Sequence, residues 1–213
     1  MQTVLIEQIP VGPMANFSYL IADPAMQKAA YVDPGWEVEK VLKIASQKKW
    51  QIEKILITHT HFDHIQELEE AYKKLKVPVF VHGIETGAIE KMGVPVHPLA
   101  NNDIISVGNL SIQCLHTPGH TPGEICFHVG NHLISGDVLF VDGCGRVDLP
   151  GSDPDQMFET LKNLSQLPDN TIIYPGHHYG PTPTDTIGHQ KKSNPYLVAA
   201  AQGKDVFFGR RGI

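Results

Sequence analysis

One short segment, residues 58–64, constrains this chain more than any other part of its sequence. It reads Thr-His-Thr-His-Phe-Asp-His and continues a short apolar run that predicts a buried strand over residues 54–58. In extended backbone, residues two apart point the same way, so His59 and His61 can reach one metal ion together. A turn after them would direct Asp63 and His64 toward a neighbouring ion. Imidazole and carboxylate ligands in this combination suit a borderline ion such as Zn²⁺.

Three later segments have a related design, in which a strand or turn leads through a glycine to a residue type that binds metals. They are residues 117–120, 135–137 and 174–177. Glycine allows the backbone to turn sharply and to approach a site closely. A lone histidine in a loop is more often a surface or hydrogen-bonding group, but four such segments together favour a metal centre. The candidate ligands are His59, His61, Asp63, His64, His120, Asp137 and His177. If Asp137 is shared, each of two ions has four protein ligands and a water can bridge them.

The order of these motifs, HxHxDH followed by GH, GD and GH, resembles the metallo-β-lactamase superfamily, and more closely its glyoxalase II (hydroxyacylglutathione hydrolase) branch. The resemblance runs from about Asn16 to Pro195. It implies an α/β (α+β) fold, a four-layer αββα sandwich, formed by residues 1–213 as a single domain. It also implies two divalent metal ions, with Zn²⁺ favoured and iron or manganese as alternatives. One ion would bind His59, His61 and His120, and the other would bind Asp63, His64 and His177, with Asp137 bridging. Asp63 is the candidate catalytic residue.

A second stretch, Gly143 to Arg146, resembles the GCG-(Lys/Arg) segment of glyoxalase II, whose basic residue contacts the glycine carboxylate of glutathione. A guanidinium group suits that role, because it can hold a carboxylate with two hydrogen bonds. The alternative is that Arg146 forms a salt bridge with Asp142 or Asp148. Tyr179 matches a tyrosine near the thiol substrate in that family. The chain departs from the family in having Asp148 where an aromatic contact is expected, and it is expected to be a short form without the C-terminal helical domain.

The resemblance implies hydrolysis by a hydroxide that two ions share and activate at neutral pH. A thiolate leaves without being protonated, whereas an amine needs a general acid, so a small thioester such as S-lactoylglutathione is the expected substrate. Two enzyme alternatives stay open, a lactonase and a persulfide dioxygenase. The dioxygenase has the same fold and holds one Fe(II) with residues that correspond to His59, His120 and Asp137. A metal-bearing scaffold is disfavoured, because the predicted site leaves a coordination position open for a bridging water, whereas structural zinc is normally closed by four protein ligands.

Composition narrows the class of partner. The net charge of −6 argues against nucleic acid or an anionic membrane as the main partner, since either would favour a basic face. No apolar stretch approaches the roughly 18 residues of a membrane span, and the N-terminus lacks the pattern of a signal peptide. Three cysteines without ligand spacing are expected to be reduced. The expected setting is therefore the cytoplasm, and the oligomeric state is open.

Hydrophobic periodicity predicts strands that alternate with helices along the chain. Strands are predicted over residues 4–9, 17–22, 30–33, 54–58, 79–81, 110–116, 125–129, 133–135 and 171–174. Helices are predicted over residues 36–50, 65–75, 85–91 and 155–167. The last of these helices follows Asp153-Pro154, which supplies a capping residue and a first-turn proline. The repeated order of strands and then a helix favours two similar layers packed face to face, with the helices outermost.

Overall fold

The computed structural model describes residues 3–212, whose strands form two sheets and one short hairpin. The first sheet contains Leu5–Val11 (β1), Asn16–Asp23 (β2), Lys28–Val32 (β3), Gln51–Leu56 (β4), Val79–His82 (β5) and Val96–Leu99 (β6), in that spatial order. The second contains Ile104–Val107 (β7), Leu110–His116 (β8), Ile125–Val129 (β9) and His132–Gly136 (β10). Leu139–Phe140 (β11) and Gly143–Cys144 (β12) form the hairpin, and Ile172–Pro175 (β13) and Asp185–Thr186 (β14) complete the second sheet in the order β14-β13-β10-β9-β8-β7.

Helices lie on the outer faces of both sheets. Val38–Gln47 (α1), Phe62–Ile65 (α2), Leu68–Leu75 (α3) and Thr86–Glu90 (α4) belong to the first half of the chain. Pro154–Leu164 (α5), Ile187–Ser193 (α6), Pro195–Gln202 (α7) and Lys204–Arg211 (α8) belong to the second half. None of the helices within residues 3–212 combines the length and apolar character that a bilayer crossing requires.

Strand β2 shows why the layers stack as they do, because all its residues are buried. Successive side chains on a strand point to opposite faces. Leu20 and Ala22 therefore pack in the core beneath α1 and α3, while Tyr19 and Ile21 pack in the core between the two sheets. A third core joins the second sheet to α5, α7 and α8. The predicted four-layer αββα sandwich is confirmed. That the whole chain forms one domain stays a prediction.

The helix predicted over residues 65–75 is divided in the structure. Glu67 has φ −108° and ψ 18°, outside the helical region, and separates α2 from α3. Its Oε2 atom accepts a hydrogen bond of 2.8 Å from the backbone N–H of Val38, the first residue of α1. A carboxylate at a helix N-terminus satisfies a free N–H and favours the helix dipole. The break therefore places Glu67 where it can contact Val38, 29 residues away in the chain. Helical periodicity does not reveal such a contact.

The helix predicted to follow Asp153-Pro154 is confirmed as α5, with Asp153 as its N-cap. Its side chain accepts hydrogen bonds from the backbone N–H groups of Asp155 and Gln156. Strands β6 and β7, the β11–β12 hairpin and helices α6 to α8 were not predicted. Each of them is eight residues or shorter, which limits a helix to about two turns and a strand to a few alternations, so the periodic signal is weak.

Candidate metal centre

Segments that follow strands, together with helix α2, which contains Asp63 and His64, bring the seven predicted ligands to one edge of the sandwich. His59 and His61 follow β4, Asp137 follows β10 and His177 follows β13. The approach is close, because a Cβ atom placed on Gly176 would lie 2.2 Å from Oδ1 of Asp137. Only glycine fits there without displacing the carboxylate. The glycine before His177 is thus required by the packing of one ligand against another, as the sequence pattern suggested.

The first group of side chains comprises His59, His61 and His120. The Nδ1 atom of His61 lies 3.1 Å from Nε2 of His59 and 2.9 Å from Nε2 of His120. Three nitrogens that converge at such distances, within 4.8 Å of one another, can hold a metal ion. His59 is fully buried, whereas His61 lines an open cleft. This geometry brings together the histidines that the resemblance assigns to one ion.

The second group comprises Asp63, His64 and His177. The Nε2 atom of His177 lies 3.3 Å from Nε2 of His64 and 3.3 Å from Oδ2 of Asp63. Oδ2 of Asp63 lies 3.8 Å from Nε2 of His64. Although His177 is far along the chain from Asp63, these donors also lie within 4.8 Å of one another. The structure therefore brings together the residues that the resemblance assigns to the second ion.

Asp137 lies between the two groups. Its Oδ1 atom is 3.4 Å from Nε2 of His64, and its Oδ2 atom is 3.2 Å from Nε2 of His177 and 3.7 Å from Nε2 of His120. Burial alone would raise the pKa of Asp137, but the charge of His64 and the contact with His177 hold that pKa well below its ordinary value. The carboxylate is thus ionised and faces ligands of both groups, which is the position of a bridging ligand.

The outward ring nitrogens of four histidines are held by oxygen atoms. Nδ1 of His64 lies 3.0 Å from Oδ2 of Asp33, and Nδ1 of His59 lies 3.1 Å from the hydroxyl oxygen of Thr58. The remaining two donate to backbone carbonyls: Nδ1 of His120 to Arg146 at 2.9 Å, and Nδ1 of His177 to Met14 at 2.9 Å. A carbonyl can only accept, so Nδ1 of His120 and of His177 is the donor, and Nε2 is the ring atom turned toward the site, where it can bind a metal ion once it is deprotonated. Metal-binding histidines in proteins are oriented in this way.

The donor set fits divalent metal ions. Oδ1 of Asp137 is buried and has no hydrogen-bond partner in the described part of the chain, although Asp137 is only 7% exposed. A buried carboxylate oxygen without a partner is costly unless a cation or a proton donor compensates it. Imidazole nitrogen and carboxylate oxygen are ligands of Zn²⁺, and imidazole also suits iron. The residues present therefore meet the requirements of a two-metal centre.

Three polar residues support the candidate ligands and were not predicted. Asp33 accepts hydrogen bonds from the backbone N–H and the hydroxyl group of Thr58, besides facing His64. The amide of Asn16 donates to Oδ2 of Asp63 at 2.9 Å. Glu124 is fully buried and accepts a hydrogen bond of 2.6 Å from the backbone N–H of Asp137. Burial raises the pKa of Glu124 well above its ordinary value. Asp33, which directly follows β3 and precedes Pro34-Gly35, had a signal like that of the predicted ligands.

A cleft of about 740 Å³ opens over both groups and contains the two predicted substrate-binding residues. Arg146 lies on its wall with its guanidinium bound to Asp148, by hydrogen bonds of 2.9 and 2.8 Å. The alternative salt bridge of Arg146 is therefore present, with Asp148 as the partner. Tyr179 stacks on His177, with ring centroids 4.6 Å apart and planes 9° from parallel. Both residues are beside the candidate metal centre.

Comparison with known proteins places this geometry in a family. Residues 11–177 match the model of the metallo-beta-lactamase superfamily. The probable polyketide biosynthesis zinc-dependent hydrolase PksB of Bacillus subtilis is 30% identical over 183 residues, which are 85% of this chain and 81% of PksB. A hydroxyacylglutathione hydrolase of Ectopseudomonas mendocina is 36% identical over 77% of this chain, and the match spans 62% of that enzyme.

The solved structures agree with the sequence matches. The crystal structure of ETHE1 from Myxococcus xanthus has a TM-score of 0.84 and 27% identity to this chain, and the match covers 96% of this chain and 88% of that one. With the His and Asp groups described above, the predicted fold and the prediction of a metal-dependent hydrolase are confirmed. This chain belongs to the metallo-beta-lactamase superfamily.

Proposed function

We propose that the chain is a dinuclear thioester hydrolase of the glyoxalase II type, acting on S-lactoylglutathione or a similar small thioester. The position of Asp137 carries this proposal. Its two carboxylate oxygens lie within 3.7 Å of nitrogens from both ligand groups, on His120 and on His64 and His177. A single-ion enzyme has no need of the group formed by Asp63, His64 and His177. Two complete groups joined by one carboxylate favour two ions acting together.

The chain's own residues would prepare this centre in defined ways. His59, His61 and His120 would hold one ion, and Asp63, His64 and His177 the other, with Asp137 shared. Divalent ions bound there supply a water activated as hydroxide near neutral pH, and stabilise negative charge on a substrate oxygen. Hydrogen bonds from Asn16 and His177, with the charge of His64, outweigh the effect of burial and lower the pKa of Asp63 to about 2. Asp63 is therefore a charged ligand throughout the physiological pH range.

The leaving group decides between thioester and amide. An amine leaving group would need a general acid in the cleft. The carboxylates Asp63 and Asp137 do not offer one, because they belong to the candidate ligand groups. Asp142 accepts hydrogen bonds from Ser193 and Gln190. No lysine is among the described residues that line the cleft. A thiolate, with an ordinary pKa of about 8.5, leaves without receiving a proton, whereas an amine requires a general acid. The cleft therefore suits a thioester better than an amide.

Arg146 and Tyr179 have the proposed roles of substrate contacts. The guanidinium of Arg146 would bind a carboxylate of the thiol half after releasing Asp148, since an exposed ion pair is weak and exchanges readily. Tyr179 would pack beside the substrate sulfur from its position on the ring of His177. The relative from Ectopseudomonas mendocina is named as a hydroxyacylglutathione hydrolase, which supports a glutathione thioester as the first substrate to test.

The test is thiol release by the purified, zinc-loaded protein given S-lactoylglutathione, with metal content measured on the same sample. We expect two ions per chain and turnover that a chelator abolishes and added zinc restores. Asp142→Asn is the matched control, because Asp142 lines the same cleft without belonging to a ligand group. Full occupancy by zinc without hydrolysis of any thioester would reject the proposal.

A second candidate, the persulfide dioxygenase with one Fe(II), is favoured by one observation. Residues Gly143 to Asp148 resemble the GCGR-(Thr)-Asp stretch of persulfide dioxygenases, and Arg146 and Asp148 of that stretch are paired in the structure. The similarity to ETHE1, which spans 96% of this chain, gives this alternative further support. Oxygen uptake by iron-loaded protein with glutathione persulfide separates the two functions. Oxygen consumption with one iron per chain and no thioester cleavage would replace the hydrolase proposal with this one.

A further inference from the structure

Large apolar side chains are exposed at the mouth of the cleft. Across residues 3–212, eight large hydrophobic side chains are exposed, and three of them line this cleft. These three are Met14 at 40% exposure, Phe62 at 58% and Tyr179 at 59%. Isolated exposed apolar residues are ordinary on protein surfaces, but apolar groups gathered around a pocket mark a binding site. This concentration therefore requires an explanation.

The three residues lie next to one ligand group. The backbone carbonyl of Met14 accepts the hydrogen bond from His177, and the ring of Tyr179 stacks on His177. Phe62 directly precedes Asp63 and is the first residue of α2. Phe140 adds a further ring, with its centroid 5.2 Å from that of Tyr179. We call Met14, Phe62, Phe140 and Tyr179 the apolar rim. It lies on the side of the cleft formed by the second ligand group.

The charged groups of the cleft offer little besides the candidate ligands. Arg146 is held by Asp148, and Asp142 accepts hydrogen bonds from Ser193 and Gln190. Arg146 is also the one lysine or arginine among the described residues that line the cleft. Apart from the candidate ligands and Arg146, whose exposed pair with Asp148 a substrate carboxylate can displace, the interactions open to an incoming molecule are therefore mainly apolar and aromatic.

We propose that the apolar rim binds an apolar or aromatic group carried by the thioester substrate, so that the enzyme selects thioesters by the apolar area they bury. This inference rests on the proposed thioester hydrolysis and names its substrate class. A group bound at the rim lies against Phe62, which precedes Asp63 in the chain, and against Tyr179, which contacts His177. It is therefore within reach of the bond to be cleaved. Rings such as Phe62 and Tyr179 provide a large contact area with little loss of side-chain freedom.

The experiment compares two series of substrates on the zinc-loaded protein. In the first, glutathione is constant and the acyl group lengthens from acetyl to hexanoyl. In the second, the acyl group is acetyl and the thiol lengthens from ethanethiol to hexanethiol. We expect kcat/KM to rise about fourfold per buried methylene in one of the series. The series that responds shows whether the rim receives the acyl or the thiol side. A flat response in both overturns the inference.

Two variants make the comparison specific. Phe62→Ala is expected to flatten the dependence on chain length. Ile104→Ala, which removes a side chain of similar exposure (57%) outside the cleft, is expected to leave the slope unchanged. The metal content of both variants is measured, because Phe62 adjoins two candidate ligands. Equal slopes for the wild type and Phe62→Ala at equal metal content would overturn the role of the rim.

Binding without turnover separates this inference from the proposed function. Alkyl carboxylates from butyrate to octanoate are titrated calorimetrically into the zinc-loaded protein. We expect the dissociation constant to fall about fourfold per methylene in the wild type and less in Phe62→Ala. A steep binding series without thioester cleavage would reject the hydrolase and keep the rim as an apolar ligand site. A flat binding series, with self-association that Phe62→Ala abolishes, would overturn the inference in favour of a contact between copies of the chain.

Discussion

Asp148 binds the guanidinium group of Arg146 through two hydrogen bonds, 2.9 Å from Nε to Oδ1 and 2.8 Å from Nη2 to Oδ2. Both side chains are two-thirds exposed. The hydrogen bonds from Arg146 lower the pKa of Asp148, so the pair is ionic at neutral pH. Because water competes for an exposed pair, a substrate carboxylate can replace Asp148 at modest cost. The pair is thus compatible both with a substrate contact and with a purely structural brace.

Arg146→Ala distinguishes these roles. If Arg146 binds a substrate carboxylate far from the reacting bond, KM for S-lactoylglutathione should rise about tenfold or more while kcat changes little. The kinetics are measured together with the melting temperature. A brace predicts the reverse, a lower melting temperature with no selective effect on KM. An unchanged KM would discard the glutathione-carboxylate role of Arg146.

Asp148→Asn is the complementary change. It removes the charge that competes for Arg146 and keeps a similar side-chain shape. KM should therefore fall, by about twofold to fivefold, while kcat stays close to the wild-type value. Steady-state kinetics at low and moderate salt check this prediction, since the effect of the lost charge should weaken as salt screens it. A rise in KM would show that the ion pair assists substrate binding.

Asp63→Ala should abolish turnover and leave the protein folded. The side chain faces the cleft, so its removal opens no cavity in a packed core. We expect metal analysis to show one ion retained per chain where the wild type holds two. Asp142→Asn, the control in the same cleft, should retain both ions; asparagine also tolerates the positive φ of 55° at that position. Retention of most of the turnover by Asp63→Ala, with metal present, would remove Asp63 from the ligand set.

Metal binding should release protons. Burial lowers the pKa of His177, but hydrogen bonds with Asp137 and Asp63 outweigh burial and raise that pKa to about 9 in the metal-free protein. Below that pH the ring is protonated, and a metal ion must displace the proton. The raised pKa also stabilises the metal-free fold below the ordinary value of 6.5, and this contribution is lost as the pH rises through about 9.

Calorimetric titration with zinc at pH 7, in two buffers of different ionisation enthalpy, measures the proton release. The observed enthalpy should depend on the buffer, and the zinc affinity should fall as the pH is lowered. The contribution of His177 should vanish once the pH exceeds about 9. Identical enthalpies in both buffers at pH 7 would contradict a protonated His177 in the metal-free protein.

The candidate ligands could be predicted because the residues next to each of them in the sequence indicate its position. The alternation of His59 and His61 and the glycines before His120, Asp137 and His177 encode the geometry within a few residues. Most of the residues that contact the candidate ligands, in contrast, have no such local signal. Glu124 contacts the backbone of Asp137, 13 positions away, only because β9 and β10 are adjacent. Nothing in the sequence near Glu124 distinguishes this buried acid from an exposed one.

The same limit applies to the fold. Helices α1 and α5 have clear amphipathic patterns, and strand β2 is a mostly apolar run next to turn residues, so all three were predicted. The helices after residue 186 are short, and their positions depend on tertiary contacts. Helix α7, for example, begins at Pro195 because Asn194 caps it, while the amide of the same asparagine donates to the carbonyls of Phe140 and Gly143 in the β11–β12 hairpin. That second contact exists only in the folded chain.

Arg211, near the end of α8, joins the C-terminal helices to the wall of the cleft. Its Nη2 atom donates to the backbone carbonyl of Gly145 and lies 2.6 Å from Sγ of Cys144. Its guanidinium group also lies 4.7 Å from the centroid of the Tyr196 ring. The next carbonyl along the chain, that of Arg146, accepts the hydrogen bond from His120. The C-terminal helix is therefore connected to a candidate ligand through two successive peptide groups.

Arg211→Leu should destabilise the protein, because it removes a charge-assisted hydrogen bond and a cation–π contact but keeps much of the apolar stem. We expect the free energy of unfolding, measured by urea denaturation, to fall by about 1–3 kcal/mol. The neighbouring Arg210 is exposed on the same helix, so Arg210→Leu is the matched control and should change the free energy by no more than about 0.5 kcal/mol. Zinc affinity measured on both variants tests the connection to His120, which predicts weaker binding in Arg211→Leu alone. Equal unfolding free energies and zinc affinities for the two variants would show that Arg211 does not hold the cleft wall.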